Sequence, residues 1–266
     1  GKGIRGAPRD ALIADLTPPE IRGAAYGLRQ SLDSVGAFIG PLAAVGLMIL
    51  WAGDFRTVFW FAVIPGVISV VLLIFFVHEP ATPRTGATPV SPIRWRTLGD
   101  LGAVYWWVVA AGGAFTLARF SEAFLLLRAQ QFGLQDAYAP LVLVVMNVVF
   151  AISAYPLGRL ADRVSHSALL AAGLVMLIAA DLVLALATGL AALAAGVALW
   201  GLHMGMTQGL LATMVAGAAP AHLRGTAFGF FNLVSGIALL IASVLAGLLW
   251  DSLGAAATFY AGAAFA

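Results

Sequence analysis

Seven stretches of this chain are long and apolar enough to need lipid around them rather than water. Five carry no acidic or basic residue apart from His203: Thr57–Val77, Leu101–Ala118, Ala137–Leu157, Leu190–Ala221 and Gly225–Trp250. Two are interrupted by charge: Gly23–Leu50 by Arg29 and Asp33, and Ala168–Ala187 by Asp181. Roughly 20 apolar residues cross a bilayer core of about 30 Å as a helix. Lipid offers no partner to an unpaired backbone group, so helix is the form each stretch must take. Pro41, Pro65 and many glycines lie inside these stretches, which membrane helices tolerate better than soluble ones.

Composition narrows the function. Of 266 residues, 62% are apolar and 10% charged, more apolar surface than a soluble core of this size can enclose. A net charge of +2 describes no basic face for nucleic acid. The absence of cysteine excludes disulfides, thiolate metal sites and a cysteine nucleophile. Gly1-Lys2-Gly3 lacks the spacing of a P-loop, and no H-E-x-x-H, G-x-S-x-G or EF-hand pattern occurs. The expectation is a protein that is not an enzyme and holds no cofactor or metal. Its work would be driven by a gradient.

The loops orient the helices. Alternate loops carry Arg22; Arg84, Arg94 and Arg96; Arg159 and Arg163; and Arg224, while the intervening ones carry Arg56 and Arg128. The positive-inside bias makes the first set cytoplasmic. The segment 78–99 holds Pro80, Pro83, Pro89 and Pro92 among polar residues and reads as an extended cytoplasmic linker. Residues 1–77 then belong to one membrane bundle and 100–266 to a second. The opening residues read as the inside of an element, and the apolar run Ser252–Ala266 is 15 residues, short of a full span. Both ends are therefore expected to be truncations, with about nine segments present.

An internal repeat supports two bundles. Arg22-Gly23-Ala24-Ala25-Tyr26-Gly27-Leu28 returns 202 residues later as Arg224-Gly225-Thr226-Ala227-Phe228-Gly229-Phe230, and Pro18 maps onto Pro220. Both copies open a span from the same side, which implies bundles related by an axis along the membrane normal.

Several motifs now carry a resemblance. Pro19-Glu20-x-Arg22-Gly23 followed by Gly36-Ala37-Phe38-Ile39-Gly40-Pro41 resembles the fifth helix of the major facilitator superfamily, with its G-x-x-x-G-P motif. Gly158-Arg159-Leu160-Ala161-Asp162-Arg163 is similar to that family's G-x-L-A-D-R loop, in the copy between helices eight and nine. Asp54-Phe55-Arg56-Thr57-Val58-Phe59-Trp60 resembles the start of helix six. The resemblance implies an all-α polytopic membrane protein with two pseudo-symmetric six-helix bundles, this chain covering about helix four to helix twelve. The first bundle would then be incomplete, lacking helices one to three.

Ionisable residues inside a membrane helix are costly and so are functional candidates. Lys2, Arg5 and Arg9 are spaced to share one helical face. Counting about 1.5 Å per residue from the Pro18–Arg22 turn puts Asp10 and Arg29 about 10 Å deep and Arg5 and Asp33 about 16–18 Å deep. Antiparallel neighbours would pair Asp10 with Arg29 and Arg5 with Asp33. On a functional reading the cations attract an anionic group while Asp33 binds and releases a proton. Low dielectric favours a neutral carboxyl and a nearby cation opposes it, so a substrate competing for the cation would couple to protonation. The rival is a permanent ion-pair lattice. Under the 202 offset Lys2, Arg5, Arg9 and Asp33 fall on Met204, Thr207, Leu211 and Ser235, so the scaffold is duplicated and the charges are not.

In the second bundle Arg119 and Glu122, one turn apart on the seventh helix, line the cavity or pair with each other. Asn147 bridges helices or touches substrate. His203 reads as a hydrogen-bonded packing residue, and Asp181 as reaching the headgroups. Gly36 and Gly40 allow close helix approach and Pro41 bends the helix, which suits a rocking motion. With Gly158, Asp162 and Arg163 they form the expected gating set, the last two as a latch that the family resemblance implies.

The function expected is secondary active transport of a small anionic or zwitterionic solute by alternating access. Coupling to protons is expected, with export preferred over uptake on the Gly36–Pro41 motif alone. The alternatives are an organic-anion uptake symporter and a non-transporting sensor on the same fold. A membrane enzyme acting on lipid would need acidic clusters at a membrane face. The expected partners are the solute, H+ and the lipid bilayer, with no nucleic acid, for a monomer in a bacterial inner membrane.

Overall fold

The apolar stretches are helical, and their spacing in the chain becomes contact in space through small residues. The computed structural model describes residues 2–51, 54–76, 95–135 and 138–266. Ten α-helices follow in order: α1 Lys2–Leu16, α2 Arg22–Leu50, α3 Phe55–Phe76, α4 Ala103–Ala118, α5 Ala123–Gln131, α6 Pro140–Ala161, α7 His166–Leu186, α8 Leu190–Ala218, α9 Arg224–Leu253 and α10 Ala255–Phe265. Among the described residues, seven helical spans are long and apolar enough to cross a membrane. Of the linker expected over 78–99, residues 78–94 lie outside those described, and Trp95–Asp100 form a short 3₁₀ turn.

The helix ends have local causes. Asp54 accepts the Thr57 hydroxyl at 2.5 Å and the Arg56 N–H at 3.0 Å, covering the first turn of α3. The Thr57 hydrogen bond holds the exposed Asp54 carboxyl below its ordinary range. Ser165 caps α7 by accepting the N–H of Ala168. After α5, Gly133 takes φ of 80° while Leu134 N–H donates to Ala129 and Gly133 N–H to Gln130, a left-handed helix stop that a glycine adopts without strain.

One span departs from expectation. Arg119 and Glu122 do not lie a turn apart on a continuous helix; they bracket a break between α4 and α5. Arg119 is extended, at φ −110° and ψ 115°. The break turns Phe120 inward, 4% exposed, against Phe124, Trp200 and Phe259. The freed backbone finds side-chain partners, as lipid requires. Ser121 N–H donates to Ser243 Oγ, and Ser121 Oγ accepts from Ala123 N–H.

Phe120, Phe124, Leu125, Met146, Leu177, Leu184 and Trp200 belong to the core of the second bundle. A separate core joins the bundles: Ala7, Ala11 and Ala14 of α1 and Tyr26 of α2 meet Ala212, Val215 and Ala216 of α8 and Phe228 of α9. Alanines let the helices approach, and close van der Waals contact replaces the hydrophobic drive that lipid removes.

The repeat is visible as pairing across a pseudo-twofold axis. Tyr26 and its repeat partner Phe228 face each other, ring centroids 6.1 Å apart. Gln30 Nε2 donates to Gln208 Oε1 at 3.2 Å. Both residues shifted by 202 give Asn232 and Gly6, also neighbours, with a Cβ built on Gly6 3.9 Å from Asn232 Nδ2.

The closest approach is not at the glycines expected to provide it. Gly36 and Gly40 are exposed, and no described atom lies within 4 Å of a Cβ built on either. The residue between these glycines and α3, Pro41, has its side chain outside the described set. Gly23 and Gly27, at the start of α2, instead meet Ala154 and Gly158 of α6 backbone to backbone. A Cβ on Gly158 would stand 2.3 Å from the Gly23 carbonyl oxygen, and one on Gly27 2.4 Å from that of Ala154. Gly27→Leu should therefore lower thermal stability by about 1–3 kcal/mol, the usual cost of overpacking. Unchanged melting of the full-length protein in detergent would rule out this approach.

Candidate functional site

The first site is built where α1 and α2 run antiparallel. Arg9 and Asp10 come from α1, Arg29 and Asp33 from α2, one turn apart on the same face. Arg29 Nη1 lies 3.4 Å from Asp10 Oδ1 and Arg29 Nη2 2.9 Å from Asp33 Oδ2. Arg9 reaches both acids, Nε to Asp10 Oδ1 at 3.3 Å and Nη1 to Asp33 Oδ2 at 3.2 Å. Two guanidinium groups and two carboxylates thus form one neutral quartet.

The expected pairing of Asp10 with Arg29 is present. Asp33, however, is met by Arg9 and not by Arg5. Depth counted on Cα positions misses the lean of side chains toward their own helix N-terminus. In α1 that lean carries Arg9 away from the Pro18–Arg22 turn, and in α2 it carries Asp33 toward it, so the two meet. Arg5 is exposed and makes no ion pair among the described residues. The Lys2 side chain lies outside the described set. Asp33 keeps 51% of its side chain uncovered, whereas Arg29 and Asp10 keep 18% and 11%. The quartet therefore has an anchored side and an open one.

A second cluster joins the bundles at the arginine-rich end of the helices. Asp162, in the turn after α6, accepts the N–H of Gly23 at 2.7 Å and of Ala24 at 2.9 Å. The α2 N-terminus has no side-chain cap of its own, so Asp162 supplies one from the other bundle. Arg163 is exposed and makes no ion pair with Asp162 among the described residues. The contact is thus a carboxylate on a helix start, not a loop charge pair. The repeat-related Arg22 and Arg224 both donate to the Ala14 carbonyl, at 3.0 and 3.4 Å, and Arg224 also pairs with Asp15. Above this end, Tyr26 donates to the Asp10 carbonyl at 2.6 Å and Ser31 to the Ala151 carbonyl at 2.5 Å.

The remaining candidates are spread through the second bundle. Asn147 donates to Leu143, one turn back on its own helix, at 2.8 Å, and bridges no other described helix. Arg119 makes no side-chain hydrogen bond or ion pair among the described residues; Glu122 is the carboxylate whose field reaches it. His203 packs as expected: its Nδ1–H donates to the Gly173 carbonyl at 2.7 Å and its ring stacks on Phe115. Asp181 does not reach the headgroups. It is fully buried, and its neighbours come from α10 and the α4–α5 break, a placement the sequence reading missed. A lone charge near a helix end looks the same in sequence whether it faces outward or inward.

Among the described residues no group of three or more His, Asp or Glu is placed to hold a metal. Asp162→Ala removes two charge-assisted hydrogen bonds, each worth about 1.5–3 kcal/mol. In the full-length protein carrying a single engineered cysteine at Ser31, labelling from the arginine-rich side should rise roughly tenfold or more, since about 1.4 kcal/mol is a factor of ten. Equal labelling with and without Asp162 would dismiss the cap as a closure.

The comparisons with known proteins fit this geometry. The Major Facilitator Superfamily model matches residues 1–243. An uncharacterized MFS-type transporter of Methanocaldococcus jannaschii is 28% identical over 257 residues, covering 94% of this chain and 63% of the relative. The human organic anion transporter MFSD10 superposes with a TM-score of 0.75 at 18% identity, over 97% of this chain and 65% of that one. The transporter FucP, in an outward conformation, gives 0.72 at 17% identity, over 97% and 70%. The chain thus spans less than two thirds of the length of the curated relative. With the family model matched over most of its length and the fold shared with solved transporters, this membrane chain belongs to the Major Facilitator Superfamily.

Proposed function

We propose that the protein to which this chain belongs is a proton-coupled transporter of a small anionic or zwitterionic solute, working by alternating access. The observation that carries the reading is the quartet's open side. Asp33 is held by two guanidinium groups yet half uncovered, with Arg5 as surplus cation nearby. A carboxylate or phosphate entering there competes with Asp33 for Arg9 and Arg29. Asp33 released from its cations takes up a proton, and solute departure restores the pair and expels it. Half of the Asp33 side chain stays uncovered, so exchange is possible without dismantling the helices. MFSD10, a human organic anion transporter that shares the fold at 18% identity, is consistent with this substrate class.

The described bundles touch at their arginine-rich ends through Asp162, Gly23, Gly27 and Gly158, while no described atom lies within 4 Å of a Cβ built on Gly36 or Gly40 farther along α2, which supports an outward-open state with the cytoplasmic side closed. Asp162, Gly158, Gly23 and Gly27 form the closure in this reading, and Gly36, Gly40 and Pro41 the flexible outer part of α2. Solute and proton bound together amount to symport, the uptake alternative; export by antiport, preferred on the Gly36–Pro41 motif alone, requires the two to occupy the quartet in turn. The residues 1–77, 78–99 and 100–266 serve as first bundle, linker and second bundle of a monomer in a prokaryotic plasma membrane.

The test uses the full-length protein in proteoliposomes with a pH dye inside and a panel of small organic anions and zwitterions outside. Proton movement that depends on one of these solutes should appear in the wild type and vanish in Asp33→Asn. Arg9→Gln should raise the KM for the same solute severalfold. Proton movement that survives Asp33→Asn, or its absence for every compound in the wild type, overturns the reading.

A further inference from the structure

Asp181 stands outside everything described for the quartet. It lies in α7 at 0% exposure, and neither carboxyl oxygen has a hydrogen-bond partner. A Cβ built on Gly262 of α10 would fall 2.7 Å from Asp181 Oδ2 and 3.0 Å from Phe120 Cε1. One point on α10 is therefore pressed between the acid and the aromatic ring that the α4–α5 break turns inward. The glycine at 262 leaves room for α10 to close over the acid.

Among the described residues no opposite charge answers it. From the break, Arg119 and Glu122 flank Phe120 without an ion pair to Asp181. From α5, Arg128 spends its guanidinium on the carbonyls of Leu184, Ala185 and Ala187 at the end of α7. From α8, His203 Nδ1 is bonded to Gly173. From α10, Tyr260 is exposed. A fully buried carboxylate with no hydrogen-bond or charge partner among the described residues is far too costly to persist as an anion, and the group neutralises instead. A metal cation would need several oxygen ligands, and no metal-competent group exists among the described residues. The ligand this pocket can take is a proton.

We propose that Asp181 is a proton-binding site of the second bundle, occupied while Gly262 and Phe120 close over it. The proton is held as the O–H of the carboxyl. It leaves as H+, with the electron pair remaining on the carboxylate, when α10 withdraws and water enters. This site is separate from Asp33 and does not depend on the solute proposed above.

Infrared difference spectroscopy of the full-length protein in lipid bilayers tests it directly, without any solute. At neutral pH the C=O stretch of a protonated carboxylic acid should be present in the wild type, absent in Asp181→Asn and retained in Asp33→Asn. A protonated-acid region left unchanged by Asp181→Asn, or loss of a carboxylate band only, overturns the proposal. Should Asp181→Asn fail to fold, Gly262→Ala is read in its place. Its added methyl presses on both the acid and the Phe120 ring, so a shift or loss of the band at neutral pH supports the site, and an unchanged band overturns it. The outcome is independent of whether Asp33 couples transport, because no transported compound enters the measurement.

Discussion

Backbone-to-backbone contact between α2 and α6 is the constraint on which the rest of the arrangement depends. Gly23, Gly27 and Gly158 remove the side chains that would keep the two helices apart, and Ala154 adds only a methyl. Lipid supplies no hydrophobic drive between helices, so association relies on such close packing and on polar contacts formed within it. With the axes this near, Asp162 reaches the first N–H groups of α2 and Ser31 reaches a carbonyl of α6. The same approach lets Gln30 meet Gln208 and Tyr26 face Phe228. A wider crossing would leave the α2 start uncapped and the polar contacts unmade.

Charge is distributed differently from packing. The two halves of the chain share a scaffold, seen in the Tyr26–Phe228 and Gln30–Gln208 relations, but the quartet of Arg9, Asp10, Arg29 and Asp33 has no counterpart at the repeated positions. A buried acid does occur in the second half, at Asp181, yet it answers to aromatic and glycine neighbours and not to cations. The two bundles thus hold their acids by opposite means, one by ion pairing and the other by exclusion of water.

The fold was largely legible in the sequence because lipid leaves few choices. Spans, their order and the repeat follow from apolar length and from a seven-residue stretch that returns with four identities at a fixed offset. The site was legible in part. Asp10 with Arg29 followed from depth alone, whereas Arg9 with Asp33 required the lean of side chains along each helix. The break at Arg119–Glu122 was hidden, since its neighbours are as apolar as any helix and its cause is the burial of Phe120 by residues far along the chain. Gly36 and Gly40 drew attention as a motif while Gly23 and Gly27, with the same spacing, made the contact. Spacing shows which residues share a face, and only the neighbour decides which face is used.

The break between α4 and α5 has a mechanical consequence. The lower piece, α4, packs on α9, and Tyr105 is tied to the Ala227 carbonyl. The upper piece, α5, is tied through Arg128 to three carbonyls at the end of α7, with its guanidinium also 4.8 Å from the Phe132 ring. A single membrane crossing is therefore shared between two anchorages, jointed like an elbow at Arg119–Glu122. Tilting of α9 loads the forearm below the joint and, through Trp250 against Phe124, the arm above it, whereas displacement of α7 loads the arm through Arg128. Phe120, at the joint itself, registers the difference between the two.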